Sequence, residues 1–231
     1  MSGKLYGVGT GPGDPELITI KALRLIKEAD LIVVPGEEVE NSVAYQIVQG
    51  IYPEIEKKER IAVPMPMIKD RELLEAAHDR VAECIKNELD HGKITVFLTL
   101  GDPTVYSTYL YVHKRITEWG YDTEIVNGIP SFCAVAAKLN RGLVEKQEPL
   151  HVIPASYQID NALELNGTKV FMKAGKKLGE VKKRIVQSGA EAVMIENCGM
   201  QGEKIYRSAE EIPEQTGYYS LIIVKEKGET I

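Results

Sequence analysis

The sequence predicts an α/β fold in which parallel strands alternate with helices. Two observations support this fold class. Short apolar runs alternate with amphipathic stretches along the chain, and the run 94–100 (ITVFLTL) is almost entirely apolar. A strand covered by helices on both faces needs such a run, because all of its side chains are buried. Alternation of strands and helices then requires a largely parallel sheet.

The first half of the chain contains five predicted strands. A helix over 16–29 follows the first strand, with Asp14 and Pro15 suited to its start and Leu17, Ile20, Leu23 and Ile26 on one stripe. Asn41 could cap the next helix, and Asp70 precedes a long amphipathic stretch that Gly92 closes. A further helix spans 104–119. The predicted strands are 4–8, 30–35, 60–64, 94–100 and 122–126.

The second half is less regular. It contains a predicted helix over 131–139 and a basic amphipathic helix over 178–187. Strands are predicted at 150–153, 168–172, 192–195 and 221–225, the last in an antiparallel sheet. The turn Asn127-Gly128 marks a domain boundary. We therefore expect an N-terminal α/β domain over 1–127 and a C-terminal α/β domain over 128–231.

Composition excludes several classes of protein. Of the 231 residues 44% are hydrophobic, enough for a globular core, and a net charge of −6 argues against broad binding to nucleic acid or anionic membranes. The three cysteines form no CxxC pair, which favours a reducing compartment. Without an apolar run of membrane-spanning length or a signal-peptide pattern, we expect a soluble cytoplasmic protein. The four histidines show no metal-binding spacing, so no metal site is predicted.

A glycine-rich loop follows the first predicted strand. In GVGTGPGDP, glycines at every second position allow positive φ and close approach of a ligand to the backbone. The dinucleotide fingerprint GxGxxG does not fit, because its third glycine would fall on Pro12 or on Asp14. Asp14 would also repel a pyrophosphate from the start of the helix. The loop therefore indicates another ligand, with a tight ligand-free turn as the alternative.

Two further loops follow predicted strands of the same sheet. LGDPTVY comes after the most apolar strand, and NGIPSF after the fifth. The carboxyl ends of parallel strands meet at one edge of a sheet, where open α/β sheets bind ligands. Asp102 could accept hydrogen bonds from a ligand there or act only as a helix N-cap. We expect the three loops to form one site.

These segments resemble a known family. GVGTGPGDPELIT, LGDPTVYST and NGIPSF, in this order and at these distances, are similar to the tetrapyrrole (uroporphyrinogen and precorrin) methyltransferases. The resemblance covers essentially the whole chain and implies two α/β domains, a homodimer, and S-adenosylmethionine (SAM) bound in the cleft between the domains. Leu100 stands where most members have glycine. This form resembles the branch that methylates carbon 20 of precorrin-2 or its cobalt complex.

The resemblance also implies site residues. The matching positions imply that the cofactor lies near segments of all three loops and near the end of strand 168–172. There, the alignment with the family allows either Met172 or Lys173 as the contact. Tyr106 is a candidate for accepting the proton lost from the macrocycle, with ordinary packing as the alternative. The implied cofactor-binding residues are Pro12, Leu100, Gly101, Asp102, Val105, Pro130, Ser131, Phe132, Met172 and Lys173.

The expected substrate carries many carboxylates, so its site needs cations. Arginine pairs with a carboxylate through two parallel hydrogen bonds, which favours Arg115 and Arg141 as substrate-binding residues over nearby lysines. Two alternatives remain open. The chain could be another member of the superfamily acting on a different precorrin position, on RNA or on a protein, or a non-catalytic module that binds SAM or a tetrapyrrole.

Overall fold

The structure, a computed structural model, describes residues 2–66, 68, 70–154 and 161–226, without the side chain of Lys176. The chain divides into two compact units, Met1–Pro130 and Ser131–Ile231. The boundary predicted after residue 127 therefore lies within the first unit. The reason is local: Gly128 packs directly against Gly9 and Gly101, which keeps residues 128–130 with the first sheet.

Within the described part of the first unit, five strands form a parallel sheet in the order β3-β2-β4-β1-β5. The most apolar strand, β4, pairs with β1 and β2, as expected for a strand buried on both faces. The parallel α/β prediction is confirmed. The strands are β1 (Lys4–Gly9), β2 (Leu31–Pro35), β3 (Glu59–Val63), β4 (Ile94–Thr99) and β5 (Asp122–Val126).

Helices cover both faces of this sheet. One buried cluster joins α1 and α2 to side chains such as Val34 and Leu98, and the other joins α3 and α4 to side chains such as Val33 and Phe97. Alternate residues of each strand therefore enter opposite clusters. The helices are α1 (Ile20–Glu28), α2 (Val43–Ile51), α3 (Arg71–Asp90) and α4 (Tyr109–Glu118), with 3-10 turns at Pro15–Leu17 and Pro53–Lys57.

The first helix begins later than the sequence predicts. The Asp14 side chain accepts from the Glu16 backbone and caps only a 3-10 turn, whereas Thr19 caps α1 through its bond from the Ala22 N–H. The buried face of α1 is correspondingly different, and Ile20 is 90% exposed. The start of α3 agrees with prediction, because the Asp70 carboxylate accepts from the Leu73 N–H.

In the second unit, the described strands form a mixed sheet in the order β6-β7-β10-β8-β9. The last strand, β10, runs antiparallel to both of its neighbours, which confirms the prediction for it. Helix α6 packs on one face of the sheet and α5 on the other. The elements are α5 (Ser131–Lys138), β6 (Leu150–Pro154), β7 (Thr168–Met172), α6 (Leu178–Ser188), β8 (Glu191–Glu196), β9 (Lys204–Tyr206) and β10 (Ser220–Lys225).

Candidate functional site

Three loops meet at the carboxyl edge of the first sheet. The first loop (10–14) follows β1, the second (100–108) follows β4 and the third (127–130) follows β5. Because these strands are neighbours in the order β4-β1-β5, their carboxyl ends lie side by side. The prediction that the loops share one edge is confirmed.

Backbone hydrogen bonds join the first loop to the second. Gly11 and Gly101 form an isolated antiparallel bridge, with N–H···O distances of 2.8 and 3.3 Å. The Thr10 N–H and hydroxyl both donate to the Thr99 carbonyl, and Thr10 is fully buried. The first and second loops therefore stay hydrogen-bonded to each other beyond the ends of β1 and β4, although their bridge is antiparallel and the two strands are parallel.

Glycines allow the third loop to approach the other two. A Cβ on Gly128 would lie 2.1 Å from the Gly101 carbonyl oxygen, and a Cβ on Gly9 would lie 2.5 Å from the Gly128 nitrogen. No side chain fits at either position. Gly101 differs: its φ of +72° demands glycine, but a Cβ there would meet only the Ile129 oxygen at 3.9 Å. Space for a ligand therefore remains in front of the Gly101 backbone.

The Asp102 carboxylate links the second loop to the third. One oxygen, Oδ1, accepts from the Thr104 N–H at 2.7 Å and from the Thr104 hydroxyl at 2.5 Å. The other, Oδ2, accepts from the Gly128 N–H at 3.0 Å and from Asn127 Nδ2 at 3.2 Å. Asp102 is only 5% exposed. Its carboxylate is buried and connects the second loop to the third by hydrogen bonds. The sequence suggested instead an acceptor for a ligand or a helix N-cap.

This carboxylate is stabilised in its ionised form. Burial alone would raise the pKa of Asp102, but hydrogen bonds from Thr104, Asn127 and Gly128 outweigh it and hold the pKa below its ordinary value. Asn127 is a site residue that the sequence interpretation treated only as part of a turn. The sequence signal that could have identified Asn127 is its position between a predicted strand and Gly128.

The sequence predicts Tyr106 inside the helix 104–119. In the structure it lies in a turn before α4. The helix begins at Tyr109, because Asp102 folds the preceding backbone into a turn and Tyr106 adopts a left-handed φ of 49°. Tyr106 is 47% exposed. A left-handed tyrosine is strained, and such strain concentrates at functional sites. Its role as a proton acceptor stays a prediction.

The other predicted cofactor residues of the first unit lie in the same three loops. Pro12 is buried and directly follows Gly11 of the Gly11–Gly101 bridge. The side chains of Leu100, Val105 and Pro130 are partly exposed. The structure thus brings together every first-unit residue of the predicted set. They are Pro12, Leu100, Gly101, Asp102, Val105 and Pro130.

The predicted residues of the second unit lie on two of its elements. Ser131 and Phe132 begin α5, and Met172 ends β7, with Phe132 and Met172 packed against the same buried cluster. Lys173 follows with a left-handed φ of 57°, and its Nζ lies 5.7 Å from the centroid of the Tyr218 ring. Tyr218, which the sequence did not single out, is exposed in the segment before β10.

Arg115, which the sequence suggests as a substrate ligand, is engaged by other groups of the first unit, and its role in substrate binding stays a prediction. Its guanidinium joins α4 to α3, with Nε donating to Asp79 at 2.6 Å and Nη2 to Glu75 at 2.5 Å. The third nitrogen, Nη1, donates to the Tyr111 carbonyl at 3.0 Å. Each guanidinium nitrogen is thus engaged within the first unit. Arg141 lies exposed in the turn after α5 and remains a candidate.

Comparison with known proteins extends these observations. Residues 4–213 match the family model for tetrapyrrole (corrin/porphyrin) methylases. The chain belongs to this family. Within the tetrapyrrole methylases, a probable cobalt-precorrin-2 C(20)-methyltransferase of Methanocaldococcus jannaschii is 36% identical over 96% of each chain. The cobalt-precorrin-2 C(20)-methyltransferase of Salmonella typhimurium is 33% identical over 99% of each chain.

A solved tetrapyrrole methylase shares the fold. The uroporphyrin-III C-methyltransferase of Thermus thermophilus, complexed with S-adenosylhomocysteine, superposes with a TM-score of 0.70. The match covers 97% of this chain and 98% of that one, at 21% identity. The predicted α/β class with two sheets is therefore confirmed. Over the residues that the structure describes, no helix is both long and apolar enough to cross a membrane.

The low pKa of Asp102 predicts a pH-dependent contribution to stability. A carboxyl group whose pKa is lower in the folded state stabilises the fold at neutral pH, and this stabilisation is lost as the pH falls through the folded pKa. Asp102→Asn should therefore lower the free energy of unfolding at neutral pH by about 1.5–3 kcal/mol, the range for hydrogen bonds to charged groups. The deficit should shrink below about pH 4. Urea denaturation across this pH range measures it.

Asp14→Asn is the matched control. Asp14 also precedes a proline after a glycine-rich stretch, but it makes an exposed capping bond to the Glu16 N–H, a role that asparagine fills equally well. Its unfolding free energy should stay near that of the wild type. An Asp102→Asn deficit that is the same at acidic and neutral pH would contradict the assignment.

Proposed function

We propose that the chain is a SAM-dependent C-methyltransferase that methylates carbon 20 of precorrin-2, with the cobalt complex as the preferred form. The observation that carries this proposal is the likeness, over nearly the full chain, to two relatives named for cobalt-precorrin-2 C(20) methylation, at 36% and 33% identity. A relative named precorrin-2 C(20)-methyltransferase, from a Sinorhizobium species, is 27% identical.

Methylation at another ring position is the nearest alternative. A cobalt-precorrin-4 C(11)-methyltransferase of Methanocaldococcus jannaschii is 25% identical over 88% of this chain, below the relatives named for carbon 20. Leu100, in place of the usual glycine, also favours the carbon-20 branch. An RNA substrate fits poorly with a net charge of −6.

The cofactor supplies a methyl group on a sulfonium centre, and transfer is an in-line displacement by an electron-rich carbon. The protein's main task is alignment, because holding the reactants in line can account for much of the rate enhancement. The three loops suit this task. The Gly11–Gly101 bridge and the buried Asp102 fix the backbone that would face the cofactor before it binds. A relative complexed with S-adenosylhomocysteine supports this choice of cofactor.

Contacts in the second unit and a proton acceptor in the second loop belong to the same proposal. Ser131, Phe132, Met172 and Lys173 are the cofactor contacts in the second unit, and Tyr106 is the side chain proposed to accept the proton. Assembly as a homodimer in the cytoplasm rests on the family resemblance. Sedimentation at micromolar concentration tests the dimer, which a mass near that of a single chain would contradict.

Turnover with both substrate forms tests the activity directly. The purified chain should transfer the methyl group of SAM to carbon 20 of cobalt-precorrin-2, with a higher kcat/KM than for metal-free precorrin-2. Anaerobic incubation followed by mass spectrometry and NMR of the product gives the position of the new methyl. A methyl at another carbon, or stoichiometric binding of both ligands without turnover, would refute the proposal.

SAM binding should depend on the open space in front of Gly101. Gly101→Leu should weaken SAM binding at least about tenfold, because the new side chain would fill the approach to the second loop. Isothermal calorimetry measures the affinity. Gly120→Leu is the matched control. Gly120 also has a left-handed φ (+83°) and a Cβ there would meet nothing within 4 Å, but it lies in the turn after α4. Equal affinity losses in both variants would disprove the site.

Arg141 should contact a carboxylate of the tetrapyrrole. Arg141→Ala should then raise KM for the tetrapyrrole about tenfold or more, as expected for the loss of a charged hydrogen bond, with little change in SAM affinity. Arg184→Ala, on the exposed face of α6, is the control and should leave both unchanged. Wild-type turnover of Arg141→Ala at limiting tetrapyrrole would rule out this contact.

A further inference from the structure

The third loop contains a chemically labile pair of residues. In an Asn-Gly sequence the backbone nitrogen of glycine can attack the side-chain amide carbon of asparagine, because no side chain on the glycine hinders the approach. Asn127 is exposed, so water and base can reach it, whereas Gly128 is buried. The pair lies in the segment that Asp102 joins to the second loop.

Packing leaves no alternative to glycine at position 128. A Cβ there would lie 2.1 Å from the Gly101 carbonyl oxygen and 2.9 Å from the Gly9 Cα. Backbone atoms cannot move aside as a flexible side chain can. The close approach of the three loops therefore requires the glycine that makes the Asn127-Gly128 pair labile.

Asp102 restrains both nitrogen atoms that the reaction needs. Oδ2 accepts from the Gly128 N–H, the attacking nitrogen, at 3.0 Å, and from Asn127 Nδ2, the leaving nitrogen, at 3.2 Å. To react, the Gly128 nitrogen must lose its proton, and a neighbouring carboxylate disfavours a second negative charge. The same contacts hold both nitrogens toward one oxygen, so the Asn127 side chain must break its hydrogen bond to Asp102 before it can rotate freely toward ring closure.

We propose that Asn127-Gly128 is a deamidation site that the Asp102 carboxylate keeps dormant. In the reaction a bond forms between the Gly128 nitrogen and Asn127 Cγ, and the bond from Cγ to Nδ2 breaks. Ammonia leaves with the proton from the Gly128 amide. Water then opens the cyclic imide, giving aspartate or isoaspartate at position 127. No oxidant or enzyme is required.

Deamidation would damage the joint between the loops. Aspartate at position 127 would set a second carboxylate beside Asp102, where two like charges repel and where a donor has been replaced by an acceptor. Isoaspartate would add one carbon to the backbone next to Gly128, where there is no spare room. Either product would separate the third loop from the second.

A second Asn-Gly pair serves as an internal control. Asn166-Gly167 lies before β7, and the Gly167 N–H donates to Glu226 Oε1 at 2.8 Å. Glycine is required there too, because φ is +89° and a Cβ would lie 2.4 Å from the Pro149 oxygen. Each labile pair is thus held by its own carboxylate, in its own unit.

The experiment compares the two pairs within the same molecules. Wild type, Asp102→Ala and Glu226→Ala are incubated at mildly alkaline pH, and proteolytic peptides are analysed by mass spectrometry for amide-to-acid conversion. Asp102→Ala should accelerate conversion at position 127 about tenfold or more, as for the loss of a charged hydrogen bond, and leave position 166 unchanged. Glu226→Ala should do the reverse.

Two outcomes would overturn the proposal. One is an equal rate at position 127 in wild type and Asp102→Ala. The other is acceleration at both positions in Asp102→Ala, since this reports general unfolding and not loss of a local restraint. If Asp102→Ala does not fold, Asp102→Asn gives the same comparison. Faster conversion at position 127 than in wild type supports the proposal, and an unchanged rate overturns it.

Discussion

The Asp102 carboxylate accepts hydrogen bonds from two loops at once, and the rest of the candidate site depends on this contact. It folds its own loop through Thr104 and holds the third loop through Asn127 and Gly128. The adjacent Gly101 pairs with Gly11 of the first loop. A buried carboxylate is costly unless its hydrogen bonds are satisfied, and here both of its oxygens accept bonds from two donors each.

The site is built mainly from backbone. Because β4, β1 and β5 are neighbours, their loops leave the sheet within a few ångströms of one another, and side chains would keep them apart. Glycine at positions 9 and 128 removes this obstacle. The result is a rigid edge that presents N–H and C=O groups to a ligand. Such an edge suits a cofactor that must be held in one orientation, since little ordering remains to be done on binding.

Sequence reasoning predicted the strands of the first sheet, the shared loop edge and the start of α3 at Asp70, because these follow from local patterns. It failed where two neighbouring residues compete to cap a helix, and where residues distant in the sequence meet. Asp14 satisfies a 3-10 turn, so α1 begins at Thr19, and the partners of Arg115 lie 36 and 40 positions earlier on α3. The joint made by Asp102 and Asn127 was missed for the same reason, since the two side chains meet only after β5 is in place.

The strand order constrains how the protein folds during synthesis. In the first sheet β1 lies between β4 and β5, so the first strand made has no partner until residue 94 has emerged. The second sheet has the converse arrangement, because its central strand, β10, follows its described sheet partners in the chain. Pairing over such separations is slow and leaves strand edges unpaired meanwhile. In the second sheet, β7 and β8 therefore lack their shared neighbour until the segment ending at Lys225 has been synthesised.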